Sequence, residues 1–199
     1  LINLFCRYGQ NSVSLYKTYR TINLKHFLEH IAHLFTGIYA ERDILADTLY
    51  LQGNHFSDTG YFDPAVKPQV KMANKYIRHL LQNDDILFAA KGLNNFAVVY
   101  HNSIGQAVAS SSFIVLRLSM EFKTKVLPEY LAWCINNSKQ IPILHKTKAT
   151  TTIPSISIAQ LSQLEINIPD IQTQQLVIEF QQLRTKEKEV IKRLEFLKD

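Results

Sequence analysis

The chain has 199 residues, of which 46% are hydrophobic and 20% charged, and it carries a formal net charge of +5. That suits one folded domain, or one domain with an appendage, large enough to bury a core without disulfides or metal. Its two cysteines, Cys6 and Cys134, lie too far apart for a disulfide framework or a metal-ligand spacing and suit a reducing cytoplasm; there is no stretch of membrane-spanning length and apolarity, and no signal-peptide pattern at the start.

Residues 1–20 show no usable period. From Ile22 to Phe35, Leu24, Phe27, Leu28, Ile31, Leu34 and Phe35 follow a helical spacing that predicts a helix closed by Gly37. His26, His30 and His33 would share one face of that helix, as metal ligands or, more commonly for such a spacing, as solvent-facing residues. From Ile38 to His101 short apolar runs alternate with turn clusters. Thr48–Gln52 reads as a strand, followed by the turns Gly53-Asn54 and Ser57-Asp58-Thr59-Gly60. Asp84-Asp85 is a turn before the strand Ile86–Ala90, and Gly92-Leu93-Asn94-Asn95 a turn before the strand Phe96–Tyr100. Ala107–Leu118 holds the densest β signal. Strands joined by short turns predict an α+β fold with a mixed or antiparallel sheet.

Pro128 opens a helix, and Pro142 interrupts any helix between Ser138 and His145. Lys146–Thr152 is a polar, basic loop, Ser157–Leu164 one or two helical turns, and Glu165–Ile168 a short strand closed by Pro169. From Thr173 onward there is neither Pro nor Gly, and Asp170 or Thr173 can cap the start. Leu176, Phe180, Leu183, Val190, Leu194 and Leu197 alternate four-three as a coiled-coil seam requires, with Glu187 in the one seam position that is not apolar. Such a helix is expected to pack against another helix; the competing reading folds it back on its own sheet.

Enzyme constellations are missing from the sequence. It has no glycine-rich phosphate loop, no dinucleotide fingerprint, no G-x-S-x-G elbow, no Asn/Asp-Pro-Pro motif and no triad for its seven histidines. Glu121-Phe122-Lys123, with Asp85 upstream, has the E-x-K spacing of a metal-dependent nuclease, but that spacing is common by chance and here falls where a strand end and turn are expected. The charge is concentrated instead. Pro64–Leu164 holds eleven Lys/Arg against four acids, a net +7 that leaves −2 elsewhere, and Tyr130–Leu164 holds no acid. A polyanion is the natural partner of such a surface, a solvated basic face being the plainer alternative. Lys67, Lys71, Lys75, Lys146 and Lys148, with Thr150, Thr151 and Thr152, are of the types that hold phosphates. Gln69, Asn74, Lys91, Asn94 and Asn95 are of the types that read base edges, although Asn94-Asn95 is also ordinary turn chemistry.

The blocks also fall in a familiar order. Leu28-x-x-Ile31-x-x-Leu34-x-x-Gly37 is followed by Leu51-Gln52-Gly53-Asn54-His55-Phe56, Asp85–Gly92 and Ala109-Ser110 before Phe113–Arg117. Then come Leu127-Pro128-Glu129-Tyr130-Leu131, Ile153-Pro154-Ser155-Ile156-Ser157 with Leu161, Leu164–Pro169, Gln174-Gln175 and a long helix. From about Leu24 onward this resembles the target-recognition domains of type I restriction–modification specificity subunits. The resemblance implies a non-catalytic, cofactor-free cytoplasmic protein that binds double-stranded DNA and directs a methyltransferase subunit and a restriction subunit. It implies a recognition domain over residues 1–172, with 1–20 outside the match, and a coupling helix over 173–199. Specificity subunits of that family usually carry two recognition domains separated by two helices; this chain has one of each. It is therefore expected either to pair with a second copy through its helix or to be part of a longer chain. About 25 helical residues span about 37 Å, close to the ~34 Å of one DNA turn, so two half-sites of a palindrome would be spaced by it. Two other readings are the recognition end of a fused restriction–methylation enzyme and a coiled-coil interaction module with incidental basic charge.

Overall fold

Ile86-Leu87-Phe88-Ala89 is apolar at every position, and the computed structural model shows why: this strand is buried on both faces. The structure describes residues 24–57, 60–92, 94–145 and 154–197. Its strands are β1 (Leu24–Phe27), β2 (Ala32–Thr36), β3 (Leu49–Leu51), β4 (Ile86–Ala89), β5 (Ala97–Val99), β6 (Ala107–Ala109), β7 (Phe113–Leu118) and β8 (Glu165–Ile168). The α-helices are α1 (Leu28–Ile31), α2 (Pro128–Asn136), α3 (Ile141–His145), α4 (Ile158–Ser162) and α5 (Ile171–Phe196). The central sheet has the order β2-β7-β4-β5, every pair antiparallel, while β1 pairs antiparallel with β8 and β3 pairs parallel with β6. The fold is thus α+β with mixed sheets, as the strand and turn pattern indicated.

Period-two alternation divides the sheet residues between two cores. Ile86, Phe88, Ile114 and Leu116 pack with Leu28, Ile31, Leu131, Ile135, Leu161 and Leu164 on the helical side. Leu87, Ala89, Phe113 and Val115 face Leu49, Leu51, Ala107, Ala109 and Tyr100 on the other. Phe56, Phe96 and Phe113 meet there with ring centroids 5.8–6.2 Å apart. A sheet covered on both faces explains the uninterrupted apolar runs.

The predicted helix Ile22–Phe35 is not formed. The chain runs through β1, a single helical turn and β2, so the i, i+3, i+4 spacing comes from two strands hinged by α1. Among the described side chains of this stretch only Leu28, Ile31 and Ala32 are buried, and the strands join two different sheets, β1 with β8 and β2 with β7. Gly37 is therefore not a helix cap. Its N–H donates to the Phe113 carbonyl (3.0 Å), and a Cβ there would stand 2.2 Å from the Ser110 carbonyl oxygen. Because that obstacle is backbone, Gly37→Ala is expected to destabilise the domain at the upper end of the ~1–3 kcal/mol typical of overpacking, read as a lowered urea midpoint.

The helix boundaries follow local chemistry. Pro128 stands in the first turn of α2, and Ser157 caps α4 through the Gln160 amide in a capping box. Pro142 does not prevent a helix: it occupies the second position of the short α3, where it costs no hydrogen bond. Asp170, rather than Thr173, caps α5, accepting from the Thr173 amide and hydroxyl, both at 2.9 Å. Those two bonds hold its carboxyl below the usual carboxylate range. The helix accordingly begins at Ile171, two residues ahead of the expected boundary. No described helix is long and apolar enough to cross a membrane.

Candidate nucleic-acid interface and partner helix

Lys67, Gln69, Lys71, Asn74 and Lys75 lie on an irregular segment fixed to the edge of β3. Val70 is buried against Tyr50, Val108 and Ala40, and its backbone exchanges hydrogen bonds with Thr48 (3.0 and 3.1 Å). Asp47 fixes the next residues, accepting from the Met72 amide and the Thr48 hydroxyl, both at 2.8 Å. The Thr48 hydroxyl, then the Met72 amide, hold its carboxyl below the ordinary range. A 3-10 turn, Asn74–His79, follows. Lys67, Lys71, Asn74 and Lys75 are exposed on this anchored backbone, with the Lys75 ammonium 4.8 Å from the centre of the Tyr76 ring. Gln69 is half-buried, and its Oε1 is a buried acceptor without a partner, so it is less available to a base edge than its type suggested.

Lys91, Asn94 and Asn95 form the β4–β5 turn, where Gly92 adopts φ +99°, a conformation that favours glycine. With Asn54, Phe56, Ser57, Phe96 and Ser112 they line a cleft of about 980 Å³. Lys91 reaches the Ser111 hydroxyl at 3.4 Å, and Asn94 is exposed. The Asn95 amide donates to the Ala89 carbonyl at 2.7 Å, so that side chain serves the turn itself. Residues 154–156 run alongside: Gly92 donates to the Pro154 carbonyl and Ile156 to the Ala90 carbonyl, each at 2.9 Å. Lys146, Lys148, Thr150, Thr151 and Thr152 lie outside the described residues. The fold does not merge the two described groups, because one is tied to Thr48 at the start of β3 and the other borders the loop that follows its end. Asn54, Ser57 and Ser112 were not singled out by sequence reasoning; they reach the cleft from segments more than fifty residues apart, which no local spacing reveals.

Arg117 and the Glu121-Phe122-Lys123 motif have other roles than their sequence suggests. Arg117, counted with the polyanion-binding charge, is half-buried and committed to an ion pair within the domain. Its guanidinium is bidentate to Asp85 (Nε to Oδ1 2.8 Å, Nη2 to Oδ2 2.7 Å), bonds the Leu80 carbonyl at 3.1 Å and stacks 5.3 Å from the Phe35 ring. The hydrogen bond it donates to Asp85 raises its already high pKa further. This also removes the nuclease reading: Asp85 is 1% exposed, and Glu121 bonds Lys125 at 2.9 Å. No group of three metal-ligating side chains occurs among the described residues. His26, His30 and His33 each pack on an aromatic ring, of Phe122, Phe27 and Phe35 respectively. Cys134 is half-buried, and burial pushes its thiol up to about 11, away from reactivity.

The seam of α5 points away from the domain. Leu176, Phe180, Leu183, Val190, Leu194 and Leu197 are all more than half exposed, and Glu187 is exposed between them. The opposite face leans on the domain: Ile178, Gln181 and Thr185 border a groove of about 550 Å³ shared with Trp133 and Asn136 of α2, the β5 edge and Phe62. The helix therefore does not fold back to bury its apolar stripe.

A family model of the type I restriction modification DNA specificity domain matches residues 50–195. The chain belongs to that family. Solved structures share the fold of this specificity domain. The HsdS subunit of Thermoanaerobacter tengcongensis aligns with a TM-score of 0.63 and 15% identity over 86% of this chain and 44% of that one. The S subunit of a type I restriction-modification system from M. genitalium gives 0.56 and 15% identity, over 86% and 41%. A third structure, described as showing complex assembly and conformational transition of the type I R-M system, gives 0.55 and 13%, over 86% and 40%. The specificity domain thus spans less than half the length of the structures it matches. No curated protein matches it.

Proposed function

We propose that this specificity domain recognises one half of a split DNA site and pairs with a second such domain through α5 to recognise the other. It is non-catalytic, works without a cofactor, and directs methyltransferase and restriction subunits to the DNA. The observation that supports this best is the division of labour along the chain. A sheet-supported domain displays Lys67, Lys71, Lys75, Lys91 and Asn94 on anchored backbone, and a 26-residue helix leaves it with an unburied four-three apolar seam. Lysines at fixed positions suit phosphates, Asn94 beside a cleft suits a base edge, and the seam suits an equivalent helix. A second copy is one supplier of that helix; a second recognition domain on a longer chain is the other.

Selection of bound duplexes from a random pool with the full chain tests the recognition. A two-block palindromic consensus supports the paired reading, and absence of any consensus contradicts it. Within that assay Lys71→Ala and Lys75→Ala are expected to weaken binding evenly across sequences. Each should reduce the slope of log affinity against log salt by about 1, as loss of one phosphate contact requires. An unchanged slope would assign these lysines to solvent. The fused-enzyme and interaction-module readings have no observation of their own in their favour.

A further inference from the structure

Gln174 has no solvent exposure, although it sits near the start of a helix whose other described side chains are exposed or half-buried. Each polar atom of its amide is matched. Oε1 accepts from the Leu127 N–H at 2.9 Å, and Nε2 donates to the Lys125 and Pro169 carbonyls, both at 2.8 Å. Those three backbone groups belong to the segment that leads into α2 and to the link between β8 and α5. The elements so joined are themselves fixed. The Tyr130 hydroxyl donates to the Asn167 carbonyl at 2.9 Å, and the Asn136 side chain pairs with both backbone groups of Ala97, at 2.6 and 2.8 Å. The sheet therefore holds α2, and α2 and β8 hold the root of α5, through this amide and through the Ile178–Thr185 face that leans on α2.

We infer that Gln174 is a positioning residue, the joint that fixes the direction in which α5 leaves the recognition domain. Three hydrogen bonds to two separate chain segments resist both tilt and rotation of the first helical turns, and a fully buried amide cannot exchange its partners for solvent cheaply. Among the described residues, Lys186 is the last of α5 to border the groove on the domain, so the direction of the rest is inherited from this root. The lever is long: over the ~39 Å of 26 residues, about 10° of tilt displaces the far end by about 7 Å, or two base pairs. The consequence for half-site spacing rests on the paired reading above; the joint itself does not.

The test is the distance between two nitroxides, at Lys123→Cys on the domain and Lys188→Cys on α5, with Cys6 and Cys134 replaced by serine and the labelled chain diluted in unlabelled chain. Both label positions are exposed. The parent should give a single narrow distance. The isosteric Gln174→Met should broaden it by about 4–5 Å, the swing expected from about 10° over the ~26 Å of helix to Lys188, while helicity by circular dichroism is kept. A Gln174→Met distribution as narrow as the parent's overturns the proposal, since a purely structural glutamine would lower the melting temperature without widening the distance. If Gln174→Met does not fold, amide exchange in the unmutated chain decides. The Leu127 N–H should exchange as slowly as the amides of β4 and β7, and exchange as fast as the exposed 3-10 turn at Asn74–His79 would overturn the joint. A monomeric chain with a narrow parent distance would fail the paired reading and leave the joint standing.

Discussion

A chain carrying Phe180→Asp and Leu183→Asp is expected to be monomeric and to lose on the order of 10²- to 10⁴-fold in affinity for a palindromic split site, the gain that a second tethered domain provides. Both side chains are more than 60% exposed in the single chain. Removing them therefore costs the isolated domain little, and its melting temperature and helicity should stay near those of the parent at concentrations where the parent is itself monomeric. In an antiparallel seam centred on Glu187 the introduced carboxylates at positions 180 and 183 would lie opposite Leu194 and Val190 of the other helix, adding the desolvation of buried charges to the lost apolar contact. Light scattering reads the oligomer, and titration of a duplex carrying one half-site against one carrying two reads the affinity. The variant should bind single half-sites as the parent does. A parent that is monomeric at high concentration, or a variant that keeps the two-site advantage, would show that the seam serves another chain.

Replacement of Arg117 by methionine is expected to cost ~3–5 kcal/mol, the usual penalty for breaking a buried pair by removing one partner. The Asp85 carboxylate would keep the Gln82 amide at 2.8 Å but lose both guanidinium bonds, and the Leu80 carbonyl would lose its donor. Against a typical domain stability of ~5–15 kcal/mol, that leaves much of the chain unfolded on modest heating. Arg117→Lys should recover only part of the loss, because an ammonium cannot make the bidentate pair. The double change Asp85→Leu with Arg117→Met should be less destabilised than Arg117→Met alone, since it leaves no orphaned charge. Urea denaturation of the three variants measures this. Were Arg117 a DNA contact instead, Arg117→Met would keep its stability and lose only affinity.

The local signals were reliable where one residue settles one backbone choice. Asp84-Asp85 is a turn with Asp84 at φ 71°, Pro128 starts α2, and Ser157 and Asp170 cap their helices. The strands Ile86–Ala89 and Phe113–Leu118 were visible because both faces of the sheet are covered and every position but that of Arg117 carries an apolar side chain. The seam of α5 was legible for a related reason: its four-three pattern runs over three heptads, long enough to separate helix from strand. Ile22–Phe35 was not, because fourteen residues of mixed apolar spacing fit a helix and a strand–turn–strand equally well, and pairing with the distant strands β7 and β8 decides between them.

The candidate interface divides along the same line. Composition alone placed the positive charge in the middle of the chain, and residue type alone nominated Lys67, Lys71, Lys75 and Lys91. Tertiary structure withdrew Arg117 into the sheet, gave the Asn95 amide to its own turn, brought Asn54 and Ser112 beside Lys91, and set Gln174 as a buried bridge between two chain segments. Short-range periodicity and chain stiffness fix which element a segment can form, so they can be read from neighbours in sequence. Whether a polar side chain meets water or another part of the protein depends on groups that can lie tens of residues away, such as Asp85 for Arg117 and Leu127 for Gln174, and only the packed fold brings those together.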